Sequence, residues 1–420
     1  MDRRRFVSLG TLSLASLASG CGYLKYLKVD IGHFLIRSPY INSVEQEREI
    51  VSRAKVEWTA DRRVRVLYLS GSPYEIGYQH GALLRTEIER NIGFLYRQAV
   101  KKFHNEEIFA EIYERMRPFI PEEYVLEMQG LAHGSRLPLH IIHAVHILPE
   151  LGEWGGKKRI KKVIDQMTSG QLATTCSNVS VGGAATASGS HYSVRILDWG
   201  LHRISRLHEY PLITVCRPQN GIPYANIGWV GFIGAVSGMN SQGITLGEMG
   251  YGDNEHETLF GKPMPFLLRD VMSYASSLAD VRKIITESAP TNSFVFLMSD
   301  GKNGDAELYV RDPERFVVFK ENQEVRDRKE HLPPIPNTVY GGHFNEKMTE
   351  ILSKEHGKLT PELFMNEIIP AIAMKSNFQN VIYDPALLRF WVNNAASKEE
   401  WAASQPYTEF NLGEALKRWK

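Results

Sequence analysis

A polar, glycine-bearing connector splits this chain into two halves of opposite character, and that split restricts the folds open to it. The connector reads G-E-W-G-G-K-K-R-I-K-K-V-I-D-Q-M-T-S-G at 152–170. Its basic run reads as a solvated loop, with contact to anionic lipid as the alternative. Ahead of it, the alternating R-V-R-V-L-Y-L-S at 63–70 predicts a strand that stops at the turn Gly71-Ser72-Pro73. A helix is expected from Pro73 to about Lys102. The stretch 106–151 is also helical in pattern, divided by Pro118, Pro121 and Pro138. Past the connector, 176–199 and 212–250 are rich in Val, Ile, Gly and Thr, which predicts consecutive antiparallel strands. Residues 263–290 read as helix, and 293–310 as a hairpin turning between Asp300 and Gly304. Helices near 344–355 and 360–374 and strands around Val381 and 388–392 complete the pattern. Helices, then strands, then helices predict an α+β layered domain, not a strand–helix alternation.

Composition narrows the function classes. The chain has 420 residues, with 43% hydrophobic and 23% charged residues, enough to bury a core without metals or disulfides. A formal net charge of +1 argues against nucleic acid as the main partner. The three cysteines, Cys21, Cys176 and Cys216, include no C-x-x-C pair, so neither a disulfide framework nor a zinc site is expected. No cofactor is implied. His140, His143 and His146 recur every third residue near one helical face, a spacing that suits core or surface histidines better than metal ligands. Cys216 reads as a buried thiol.

The first residues, M-D-R-R-R-F-V followed by S-L-G-T-L-S-L-A-S-L-A-S-G-C, have the form of a secretory signal. Its apolar run is too short for a permanent membrane span. Arg3 and Arg4 suit a twin-arginine export signal, and Ala18-Ser19-Gly20-Cys21 resembles a lipobox with Cys21 as the lipidated residue. An incidental cysteine after a cleaved signal is the alternative. The expected location is the periplasm or cell envelope, with membrane contact through a lipidated N-terminus. The expected organisation is a signal at 1–21, a helix-rich segment at 22–175 and a catalytic segment at 176–420, the last two forming one globular unit.

Cys176 opens a strand-like segment, and a turn at Ser188-Gly189-Ser190 leads to a second strand carrying Arg195 and Asp198. A hairpin of this kind brings those two residues back toward Cys176. If Cys176 were an N-terminus, its α-amino group, titrating near pH 8, could serve as general base for its own thiol. Asp198 could orient that amine, and Arg195 could bias the thiol toward thiolate. Singly, each residue has a plainer reading: a buried thiol, a salt bridge and a turn residue.

These residues also carry a resemblance. Y-E-I-G-Y-Q-H-G at 74–81, E-M-Q-G-L-A-H-G at 127–134, C-S at 176–177 and R-I-L-D-W at 195–199 occur in order. G-M-N-S-Q-G-I at 238–244, F-L-M-S-D-G at 296–301, N-V-I-Y-D-P at 380–385 and Y-T-E-F at 407–410 follow. Together they resemble the acyl-coenzyme A:isopenicillin-N acyltransferase family of autoproteolytic N-terminal-nucleophile hydrolases. Bile-salt hydrolases, acid ceramidase and N-acylethanolamine amidase are more distant members of that group. The resemblance implies a four-layer αββα sandwich with two packed antiparallel sheets. It also implies attack of Cys176 on the Thr175 carbonyl, leaving two associated chains, with Arg195 and Asp198 around the new amine. Glu248 falls where ceramidase-like relatives place a supporting acid, the alternative being an exposed strand carboxylate. Where many relatives have an oxyanion-stabilising Asn before His-Phe, this chain has Gly342. That leaves His343, Asn345 or a backbone amide as candidates, with Asn240 as another that also reads as a simple turn.

The expected activity is cleavage or transfer of an acyl group from an amide through a Cys176 thioester, on a small N-acyl or acyl-lipid substrate. An unprocessed cysteine hydrolase using a histidine such as His343, a lysophospholipase-like esterase, and a non-catalytic binding lipoprotein are the alternatives. Papain-like nucleophiles sit at a helix N-terminus, whereas Cys176 opens a strand.

Overall fold

The computed structural model describes residues 40–103, 106–153, 176–200, 205–251, 258–327, 331–342 and 345–419. Cys21, most of the connector, Thr175 and His343 lie outside the described residues.

Two sheets make the body of the protein. The larger has nine strands in the order β1 (Lys55–Trp58), β2 (Arg65–Gly71), β5 (Pro211–Pro218), β6 (Tyr224–Trp229), β7 (Gly238–Asn240), β8 (Thr245–Gly250), β9 (Phe294–Asp300), β10 (Asp305–Arg311) and β11 (Phe316–Lys320). The smaller has six, in the order β14 (Thr338–Gly342), β3 (Ser177–Val181), β4 (Tyr192–Leu197), β15 (Gln379–Asp384), β16 (Arg389–Asn394) and β17 (Thr408–Asn411). A short ribbon, β12 (Val325–Arg326) with β13 (His331–Leu332), stands apart. The β9–β10 hairpin turns where the sequence predicts.

The larger sheet is not wholly antiparallel: β2 pairs with β5 in parallel, Arg65 opposite Leu212 through Gly71 opposite Pro218. The reason is topological. The two strands are separated by the whole helical segment and the connector, and a long crossover of this kind can close a parallel pair.

Val66, Ile213, Ile227 and Met239 from the larger sheet pack with Val381, Phe390 and Val392 from the smaller one, all buried. Full burial of side chains this size contributes about 1.5–3 kcal/mol each. The helices α1 (Val44–Ser52), α2 (Pro73–Leu83), α3 (Phe94–Phe103), α4 (Glu107–Met116), α5 (Glu122–Ser135) and α6 (Leu139–Glu153) come from the N-terminal segment. With α7 (Met264–Tyr274) and α8 (Leu278–Glu287), they cover the larger sheet. On the smaller sheet, α9 (Asn345–Lys354) is tied to β14 by a 2.8 Å hydrogen bond between the Tyr340 and Thr349 hydroxyls. The result is a four-layer α+β sandwich.

The long helix expected from Pro73 is several pieces. It starts at a capping box, where Ser72 and Glu75 each accept from the other's backbone N–H, with Pro73 in the first turn. It stops at Leu84 and resumes through a π turn at Glu89–Gly93 before α3. The two glycine motifs, 74–81 and 127–134, turn out to be one feature. A Cβ on Gly77 would lie 1.9 Å from the Glu127 carbonyl oxygen, and one on Gly130 would lie 2.1 Å from that of Tyr74. Gly134 faces the Tyr78 carbonyl as closely, at 2.3 Å. Helices α2 and α5 therefore pack backbone against backbone, which no larger residue allows.

Candidate active site

Cys176 immediately precedes β3 and is 3% exposed. The β3–β4 register sets Asn178 opposite Arg195 and Ser177 opposite Ile196, so the hairpin folds the second strand back alongside the cysteine. The Arg195 guanidinium is near enough to the thiol to favour its thiolate form. It also pairs with Glu248 of β8 at 3.0 Å, crossing from one sheet to the other. Both partners are buried. Glu248 is therefore not the exposed strand carboxylate of the plainer reading. Burial pushes its pKa up, against the opposing pull of Arg195.

Asp198 is fully buried just past the end of β4. Its Oδ1 accepts from Asn377 Nδ2 at 2.9 Å and from the Met374 N–H at 3.1 Å. Its Oδ2 has no hydrogen-bond partner among the described residues. Burial raises this carboxyl to about 7, although Asn377, Met374 and Arg195 all favour the ionised form. The Cys176 thiol is pushed up to about 12 by burial, with Arg195 opposing and Glu248 and Asp198 adding to the rise. Within an uncut chain this thiol is protonated at neutral pH and needs a nearby base before it can attack.

Around these groups the interior holds polar atoms without partners among the described residues: Ser177 Oγ, both amide atoms of Asn178 and Arg195 Nε. Asn178 is wholly buried, its Oδ1 2.7 Å from where a Cβ on Gly247 would stand. Buried polar groups are nearly always satisfied, so these atoms have bonds to spare for water or a ligand. Next to Cys176 is a cavity of about 20 Å³, room for one water molecule, lined by Leu197, Trp199, Val236, Glu248, Met264 and Pro149. A second, apolar cavity shares Pro149 and Trp199 with it and is further walled by Ile92, Leu95, Trp229 and Phe232.

The oxyanion candidates fare differently. Asn240 has no free donor: its Nδ2 bonds the Met272 and Ala275 carbonyls, while its Oδ1 accepts from Gln242 and Ile244. It holds the β7–β8 turn against the end of α7. Asn345 is the first residue of α9. Gly342 lies opposite Ser177, and a Cβ there would come within 2.3 Å of Ser177 Oγ and 2.7 Å of Ser177 Cα. No asparagine fits at 342 while Ser177 stays in place.

Asn377 and Asn178 escape a sequence reading. Asn377 is embedded in a ladder in which its amide and that of Asn380 exchange hydrogen bonds at 2.8 Å. Nothing in S-N-F-Q-N signals its bond to Asp198, because those two residues are 179 positions apart. Among the described residues, no group of His, Cys, Asp and Glu is arranged to hold a metal. His143 stacks on Tyr113 with ring centroids 3.7 Å apart, and His146 is fully buried. Cys216 is buried as expected. No helix among the described residues is long and apolar enough to cross a membrane.

No family model matches the chain. It is similar to protein dcd1B of Dictyostelium discoideum, 24% identical over 340 residues, covering 72% of this chain and 63% of that protein. Protein dcd1A of the same organism is 23% identical over 276 residues, covering 58% and 57%. The chain thus spans 57–63% of the length of these two relatives. Among solved structures, it is similar to a Caenorhabditis elegans ortholog of N-acylethanolamine-hydrolyzing acid amidase, with a TM-score of 0.39 and 12% identity over 50% of this chain and 94% of that one. A conjugated bile acid hydrolase mutant from Clostridium perfringens gives a TM-score of 0.35 at 10% identity, covering 57% and 93%.

Proposed function

We propose that this chain is an N-terminal-nucleophile amide hydrolase that exposes Cys176 by cutting itself after Thr175. The observation that carries this reading is the meeting of Cys176, Arg195, Asp198 and Glu248 in one buried place whose neighbouring polar atoms lack partners.

In self-cleavage the Cys176 Sγ attacks the Thr175 carbonyl carbon. The S–C bond forms, the 175–176 C–N bond breaks, and the thiol proton ends on the released nitrogen. Water then hydrolyses the thioester, giving a carboxylate at Thr175 and a free thiol beside a free α-amine. In turnover that amine serves as the base for the thiol. Asp198 Oδ2, buried and unpartnered, is the natural acceptor for an ammonium formed there. Arg195 favours the thiolate, and Glu248 holds Arg195 in position.

In turnover the sulfur attacks a substrate amide, the amine passes the thiol proton to the leaving nitrogen, and water releases the acid. Transfer to a second amine is the same chemistry with a different acceptor. The cavity bounded by Ile92, Leu95 and Phe232 has the apolar lining a hydrocarbon acyl group needs but, at about 20 Å³, must widen to admit one; N-acyl lipids are the substrates of this reading. Lipidation at Cys21 and export to the cell envelope belong to the same proposal and would put the enzyme near such substrates.

The two halves are tied strongly enough to stay together once cut. Arg269 holds Glu127 through two buried bonds of 2.9 and 3.3 Å, and Tyr124 donates to Asp270 at 2.6 Å. Strand β2 remains hydrogen-bonded to β5.

Intact mass and N-terminal sequencing of the purified chain test the proposal, with Cys176→Ala as control. Expected are two co-eluting fragments, one beginning Cys-Ser-Asn-Val, and a whole control chain. A wild type still intact after prolonged incubation removes the α-amine from the mechanism and overturns the reading.

A further inference from the structure

His80, from the first glycine motif, and His146 take no part in the chemistry above, yet both are buried against the segment 230–237 that joins β6 to β7. The Gly231 N–H donates to His80 Nε2 at 3.0 Å, and the Ile233 N–H donates to His146 Nε2 at 2.9 Å. His146 Nδ1 lies 2.7 Å from the Ile142 carbonyl and so carries the ring proton, which leaves Nε2 as the acceptor. From the π turn, Asn91 Nδ2 donates to the Val230 carbonyl at 2.8 Å. Asn226 Nδ2 donates to the Gly234 carbonyl at 2.9 Å, and the Arg269 guanidinium reaches the Ile233 carbonyl. Gly231 has φ +84°, and a Cβ there would lie 2.4 Å from Ile92 Cγ1. The segment carries Val236 to the cavity beside Cys176 and Phe232 to the apolar one. The Phe232 ring stacks on His146, with centroids 4.9 Å apart.

We propose that segment 230–237 is the wall that selects the acyl chain beside Cys176, and that His80 and His146 are the positioning residues that fix it by accepting from its backbone. This deepens the reading of Cys176 as an acyl-accepting nucleophile and rests on it. A connecting segment left to itself would adapt to many ligands, whereas one pinned through its own N–H and C=O groups presents a single contour. Only a neutral imidazole can accept. Burial holds His80 at about 3 and His146 at about 4, and each ring is further discouraged from protonation by Arg269. The carboxylate of Glu127 is itself engaged by Arg269.

The test is the rate of covalent labelling of Cys176 by N-methyl, N-butyl and N-octyl maleimide, read by peptide mapping that separates it from Cys21 and Cys216. It needs no identified substrate. In wild type a chain-length preference is expected. His80→Ala and His146→Ala should change the octyl-to-methyl ratio by about tenfold, the scale on which an apolar pocket discriminates chain length. The methyl rate should stay unchanged, and His80→Gln, which retains an acceptor, should recover most of the preference. Phe232→Leu alters the wall directly and serves if the alanine variants do not fold. A labelled Cys176 with the same chain-length profile in the folded variants overturns the wall proposal alone. A wild-type Cys176 that takes none of the reagents overturns the nucleophile reading, and the wall proposal with it.

Discussion

Two buried polar clusters adjoin the same cavity, and they differ in what their side chains hold. Around segment 230–237, His80, His146, Asn91, Asn226 and Arg269 bond the backbone, while Asn91 Oδ1, Asn226 Oδ1, Arg269 Nε and Ser237 Oγ have no partner among the described residues. Arg269 is held by Glu127 and the Ile233 carbonyl, and its guanidinium lies over the Tyr124 and Tyr224 rings at about 5 Å. Each buried imidazole there has a backbone donor. Around Cys176, by contrast, Arg195 shares one carboxylate, Asp198 keeps an oxygen unpaired, and neither side-chain amide atom of Asn178 has a partner among the described residues. Side chains that bond a backbone segment fix its conformation, while a side chain that bonds nothing stores a cost that a ligand or a new charged group can relieve. The first cluster holds a backbone segment in place, and the second leaves the Asn178 amide and Asp198 Oδ2 open to a further bond.

The difference should be largest in stability. Replacing Arg269 with Met strands the Glu127 carboxylate in a 4% exposed position, and breaking a buried pair in this way costs about 3–5 kcal/mol. Urea unfolding of Arg269→Met measures it. A loss below about 1 kcal/mol would mean that the cluster does not hold that segment in place.

At Asp198 the sign reverses. Its folded pKa, raised to about 7, exceeds the value near 3.9 of an unfolded chain. Between those values the folded protein holds more protons than the unfolded one, so this group's contribution is full below about pH 4 and is lost as pH rises through 7. The buried histidines act the other way. His80 and His146 stay neutral when folded, and their contribution is full above about pH 6.5 and falls as pH drops toward 4. In the uncut Cys176→Ala background, Asp198→Asn should therefore stabilise the chain above pH 7 by up to about 4 kcal/mol and leave it unchanged below pH 4. In the otherwise wild-type chain, the same substitution should slow turnover by about a hundredfold or more, since the new amine loses its counter-charge. Stability curves against pH for the uncut pair decide the first claim. A slope that survives Asp198→Asn would assign it to another group.

What the sequence revealed divides along the same line. The order of elements and the β9–β10 hairpin followed from periodicity and turn residues, and the proximity of Arg195 to Cys176 followed from hairpin register. Each depends on residues close in the chain. The pairing of Glu248 with Arg195 depends on how two sheets stack, and the backing of Asp198 by Asn377 spans 179 positions. The parallel β2–β5 pair was missed for a related reason: alternation marks a strand without naming its neighbour. The glycine motifs were visible as letters, but their meaning, two helices touching through their backbones, appears only when Gly77 is seen against the Glu127 carbonyl.

The smallest expected effect is the one that separates the two clusters most cleanly. Asn178 makes no hydrogen bond with either amide atom, so Asn178→Leu, close to it in shape, removes no bond and relieves an unmet desolvation cost. When a buried polar group is exchanged for an apolar one of the same shape and nothing is left unpaired, stability is nearly unchanged or slightly raised, by about 1 kcal/mol at most. The same exchange at Asn91 or Asn226 would orphan the Val230 or Gly234 carbonyl and cost about 1–3 kcal/mol. Thermal unfolding of the three leucine variants side by side makes the comparison. If Asn178→Leu loses as much as the other two, Asn178 is bonded in the folded protein and its side of the cavity belongs to the scaffold. If it loses nothing while Cys176 labelling or turnover falls, its amide is held in reserve for what the site binds.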